Sequence, residues 1–84
     1  MINITDVKVI KTEGNFRVKG IASITIDDSF VVHDIKILES EKGLFVAMPS
    51  RRLPSGEFKD IAHPINAETR ELIQKAILNE YEKI

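Results

Sequence analysis

An α+β fold is predicted: a small antiparallel β-sheet of about four main strands, then a long loop and one C-terminal amphipathic helix, with the chains associating as dimers. Three observations predict the secondary structure. Short runs rich in Ile and Val fill much of residues 2–37, the composition that suits a pleated, half-buried surface. Residues 49–60 hold two prolines, two serines and a glycine, which break regular structure. From Leu72 to Ile84, apolar residues recur at three- and four-residue spacing, one stripe of an α-helix.

The first strand is expected over Ile2–Lys11. Its apolar parity changes between Ile4 and Val7, which predicts a bulge or bend near Asp6. Glu13-Gly14-Asn15 is a turn signal. In the second run Phe16, Val18, Ala22, Ile24 and Ile26 share one parity, and Arg17, Lys19, Ser23 and Thr25 the other. That is a strand with one wet face, and the interruption at Gly20-Ile21 predicts a kink. Asp27-Asp28-Ser29 turns the chain into a third run, Phe30–Leu38, where Val31, His33, Ile35 and Ile37 alternate with Val32, Asp34 and Lys36. Glu39–Gly43 is polar and ends in glycine, as a hairpin loop does. Leu44–Met48 is apolar on both parities, which predicts a strand that is central or covered on both faces. Pro49 ends it, and the following twelve residues, 49–60, read as an irregular loop. Loops of that length in a small domain are usually functional. Pro64 marks the approach to the helix. Asn66 is placed to accept hydrogen bonds from its first amides, and Glu68 stands where the helix dipole favours an anion. Leu72, Ile73, Ala76, Ile77, Tyr81 and Ile84 form the apolar stripe, with Glu71 and Lys75 an (i, i+4) pair on the wet side.

Composition removes several function classes. The 84-residue chain has no cysteine, so disulfides, thiolate metal sites, iron–sulfur clusters and a cysteine nucleophile are excluded. Two histidines, His33 and His63, are too few for an all-histidine structural zinc, and no metal or cofactor is expected. With 43% hydrophobic and 30% charged residues, the chain is too apolar for disorder. Its longest apolar stretches, such as Leu44–Pro49, fall far short of the roughly 20 residues that span a bilayer. Residues 1–6 carry no signal-peptide pattern, so a cytoplasmic location away from membranes is expected. A chain this short forms one domain over residues 1–84 and buries only about 60% of its unfolded surface. Oligomerisation is the remaining means of support, hence the expected homodimer.

A net charge of −1 argues against a strongly basic nucleic-acid binder. The charge is segregated, however. Residues 21–41 hold five acidic side chains and one basic, whereas residues 42–64 hold four basic and two acidic. A locally basic patch is therefore available.

Three groups of residues carry possible chemistry. His33-Asp34 lies in a strand, where neighbours point to opposite faces, and His33 reads as a hydrogen-bonded histidine beside the core. Asp60 and His63 have a common spacing, and His63, next to Pro64, reads as a ring bonded to backbone groups. No nucleophile triad, phosphate loop or paired-glycine fingerprint is present, so neither an enzyme nor a small-molecule substrate is expected. The third group is Ser50-Arg51-Arg52 with Lys59. Arginine forks match phosphate oxygens bidentately. Phe45 and Phe58 flank the segment and are able to stack on bases, although Phe45 reads more readily as core. The competing reading is an ordinary solvated loop.

These residues also resemble a family. Phe30-Val31-Val32-His33-Asp34-Ile35, then Gly43-Leu44-Phe45-Val46-Ala47-Met48-Pro49-Ser50-Arg51-Arg52, then Gly56-Glu57-Phe58-Lys59-Asp60-Ile61-Ala62-His63-Pro64-Ile65-Asn66 closely resemble the SpoVG family, the stage V sporulation protein G or septation proteins. The resemblance covers nearly the whole chain, including Ile4-Thr5-Asp6-Val7. It implies a small bacterial cytoplasmic regulator, dimeric, with a small antiparallel sheet and a C-terminal helix. It also implies binding to DNA and RNA, and a role in asymmetric septation in spore formers. Arg51, Arg52 and Lys59 are the expected nucleic-acid contacts. Arg70, one turn into a helix whose amino end favours phosphate, is a fourth. The rival expectation is a protein–protein adaptor of the division machinery that docks through the acidic stretch Asp27–Glu41 or an exposed sheet edge.

Overall fold

The computed structural model describes residues 2–12 and 17–84. It contains six strands and a helix: β1 (Ile4–Lys11), β2 (Val18–Ile26), β3 (Phe30–Ser40), β4 (Gly43–Ala47), β5 (Ser50–Arg52), β6 (Phe58–Asp60) and α1 (Ala67–Lys83). Strands β1 to β4 form an antiparallel meander in the order β1-β2-β3-β4, and β5 and β6 pair separately. The architecture is the expected α+β arrangement of a four-stranded sheet and one C-terminal helix. The turn expected at Glu13-Gly14-Asn15 and the placing of Phe16 lie outside the described residues.

Three register shifts shape the sheet. Thr5 is an extra residue between the pairs Ile4–Ile26 and Asp6–Thr25, the bulge that the parity change predicted. Lys19 is extra between Val18–Leu38 and Gly20–Ile37, so the predicted kink beside Gly20 is present. The third shift overturns an expectation. Ala22 pairs with Ile35 and Ile24 with Val32, leaving His33 and Asp34 together opposite Ser23. Asp34 has φ 62, a left-handed conformation that aspartate tolerates better than most residues. The bulge moves Val32 onto the face of Ile35 and Ile37 and turns Val31 outward. His33 is therefore exposed on the outer face, not beside the core, where its Nδ1 hydrogen-bonds with Ser23 Oγ over 3.0 Å.

The turns follow their sequence signals. Asp27 and Asp28 have φ 51 and 54, the sign a type I′ turn requires at both central residues, and Ser29 N donates to Ile26 O at 3.0 Å. At the next hairpin Ser40 pairs with Gly43.

The helix covers one face of the sheet, packing on β1, β2 and β4. Ala22, Ile24, Ile35, Ile37, Ile73 and Ile77 are buried, with Val7, Val9, Val32, Val46, Met48, Leu78 and Tyr81 packed around them. Asn66 caps the helix through Oδ1, which accepts from Thr69 N at 2.8 Å, with Glu68 in the first turn. At the far end Lys11 places its ammonium 4.9 Å from the centre of the Tyr81 ring and donates to the Ile84 carbonyl oxygen. Gly20 lies close by: a Cβ there would stand 3.2 Å from the backbone Ile10 O, a tight approach, and 3.6 Å from the Tyr81 ring, an ordinary contact.

Two expectations about β4 are corrected. It is an edge strand rather than a central one. Phe45 lies on its outer side, 40% exposed, so it is not core. Apolar residues occur on both parities because Leu44 and Val46 meet the helix while Phe45 faces out.

Candidate nucleic-acid interface

The twelve residues expected as an irregular loop form a β-ribbon. Ser50 pairs with Asp60, Arg51 with Lys59 and Arg52 with Phe58. The tip is built by local chemistry. Gly56 N donates to Leu53 O at 2.9 Å and Leu53 N to Glu57 O at 2.7 Å. Pro54, whose ring fixes φ, occupies the second position of that turn, and Gly56 has φ 93, which a side chain would resist. At the base, Ile61 N donates to the carbonyl oxygen of the buried Pro49 at 2.8 Å. The ribbon is thus tied at both ends, yet all six of its strand residues are exposed.

This geometry joins two of the expected contacts directly. Arg51 and Lys59 are cross-strand partners, so their side chains leave the same face about 5 Å apart at Cβ. Arg52 leaves the other face beside Phe58. Arg70 is not part of this cluster. It is exposed in the second turn of α1 and lines a shallow depression with His63, Pro64, Ile65, Asn66 and Ala67. Among the described residues none of the four cations has a carboxylate within ion-pair distance, and the ion pair that does form is Lys83–Glu80, 3.8 Å apart within the helix. Like charges directly opposite on a ribbon are destabilising. A cation early in a helix opposes the dipole. Both features leave positive charge uncompensated where a polyanion can reach it.

The remaining candidates have other surroundings. The His63 ring Nδ1 donates to the Pro64 carbonyl oxygen at 3.1 Å, the backbone contact that its position suggested, while Asp60 pairs with Ser50 on the ribbon. Among the described residues no group of three or more acidic or histidine side chains is placed to hold a metal, and no helix is long and apolar enough to cross a membrane. Sequence reading missed the ribbon itself. Its signal was Pro54-Ser55-Gly56, a three-residue hairpin tip with glycine at the positive-φ position, set between segments with no hydrophobic alternation to mark them as strands.

Comparison with known proteins agrees with the resemblance. The SpoVG family model matches residues 2–83. The septation protein SpoVG of Clostridium perfringens is 63% identical over 83 residues, covering 99% of this chain and 92% of the relative. That of Clostridium kluyveri is 63% identical, with 99% and 86% covered. That of Caldanaerobacter subterraneus is 61% identical over 82 residues, with 98% and 90% covered.

Proposed function

The chain belongs to the SpoVG family, and from that premise we propose that it is a cytoplasmic regulatory protein that binds nucleic acid as a homodimer through the β5–β6 ribbon. Arg51 and Lys59 grip phosphates from one face of the ribbon, Arg52 from the other, and Arg70 adds a contact at the helix start. The observation that carries this reading is the Arg51–Lys59 pair. Two cations held directly opposite each other on an exposed element cost the fold stability, and an anion bound between them offsets that cost. The relatives are named septation proteins, which supports a role for this chain in the formation of the division septum.

The test is binding of a fluorescent duplex by the parent and by an Arg51→Ala, Lys59→Ala double variant at matched salt. Charge-assisted hydrogen bonds contribute about 1.5–3 kcal/mol each, so the variant binds more than about tenfold more weakly while melting like the parent. Unchanged affinity in a folded variant contradicts the proposal.

A second reading, docking onto another protein, has its own support. The outer face of the sheet exposes Ile10, Ile21, Val31 and Phe45, apolar surface that the helix does not cover. Docking there resists salt, whereas phosphate binding weakens steeply with it.

A further inference from the structure

The ribbon has an aromatic ring that phosphate binding does not use. Phe58 stands directly opposite Arg52, so the two share the face turned away from Arg51 and Lys59. Phe58 is 72% exposed. The tip hydrogen bonds from Leu53 and Gly56 hold Phe58 in register with Arg52 rather than at the end of a loose loop. A flat apolar ring and a cation on one face of a ribbon suit a nucleotide whose base is free: the base stacks on the ring and the adjoining phosphate meets the arginine. A paired base has both faces occupied by its neighbours in the duplex and offers only its edges in the grooves.

Resting on the ribbon as a nucleic-acid interface, we propose that Arg52 and Phe58 form a stacking platform for one unpaired base, so that this site takes single-stranded nucleic acid. The two faces of the ribbon then divide the work. Arg51 and Lys59 hold backbone phosphate of any strand, and Phe58 responds only to a base outside a duplex. Stacking uses the π-face that every base has, so the platform tolerates sequence and is indifferent to the sugar.

The chain contains no tryptophan, which gives a direct probe. In the Phe58→Trp variant of the 84-residue chain the one indole is excited selectively. The titrants are a twelve-nucleotide oligo(dT), the matching oligo(U) and a blunt duplex of the same length. Both single strands quench the indole and the duplex does not. Phe58→Ala weakens binding of both single strands about 5- to 150-fold, the alanine-scan range for one base stack, and leaves duplex affinity within twofold. Phe58→Trp keeps single-strand affinity. The platform is overturned if Phe58→Ala leaves single-strand affinity unchanged. It is equally overturned if the duplex quenches the indole as strongly as the single strands, or if the free variant's indole is already shielded in a concentration-dependent way by a second copy. The Arg51→Ala, Lys59→Ala variant separates the two readings. If it binds duplex normally while Phe58→Ala still loses single strands, the phosphate face is wrong and the platform stands.

Discussion

Lys59 and Arg51 are exposed cross-strand partners on the ribbon, and a like-charged cross-strand pair costs a few tenths to about 1 kcal/mol. Lys59→Glu turns that repulsion into an ion pair. The expected outcome is a folded protein at least as stable as the parent by urea denaturation, with duplex binding lost. A Lys59→Glu variant that binds normally removes Lys59 from the interface. Gly56 tests the ribbon's shape rather than its charge. Its φ of 93 is closed to a side chain, so Gly56→Ala costs about 1–2 kcal/mol locally. Because β5 and β6 form a two-stranded sheet separate from β1–β4 among the described residues, that cost appears as weaker binding with almost unchanged melting. At this scale the cations were legible because arginine and lysine have few uses on a Pro/Gly segment. Their mutual geometry was not legible, because pairing across a ribbon depends on a turn whose residues also occur in irregular loops.

The elements were legible where a periodic pattern met a single environment. The helix was foreseen because its sheet-facing stripe repeats every three to four residues and Asn66 supplies a cap. Ile77 lies at its centre, 0% exposed. Ile77→Ala should cost about 2–5 kcal/mol from lost burial and the cavity left behind, read as a lower denaturant midpoint with unchanged slope. A negligible shift would mean that the helix does not seat on the sheet through this residue. The strand β3 was read with the wrong face over its first half, because alternation assumes one residue per pleat and the His33-Asp34 bulge supplies two. A bulge at Asp6 was visible because apolar residues change parity there. The one at His33-Asp34 was hidden because Val31 and Val32 are apolar on either parity. Likewise β4 has Phe45 where an outward polar residue would have declared an edge.

For the molecule as a whole, few side chains are fully buried, while Ile10, Ile21, Phe30, Val31 and Phe45 remain exposed on the sheet. Small domains often gain stability by association, and in the proposed homodimer a two-fold axis presents two ribbons together. Sedimentation at micromolar concentration should give about twice 9.5 kDa, and a stable monomer there contradicts the dimer. The proposed dimer also sets how many cations act at once. Taking the ribbon cations alone, Arg51, Arg52 and Lys59 from two copies engage about six phosphates, so their share of the fall of log affinity for duplex DNA with log salt concentration is a slope near −5, from about −0.9 per phosphate. Arg51→Ala with Arg52→Ala removes about four of those contacts and should flatten the slope to about −2, with stability changed by no more than about 0.5 kcal/mol. If the folded double variant keeps the parent's affinity and slope, the ribbon is ordinary solvated surface and the account of it as the nucleic-acid interface is wrong.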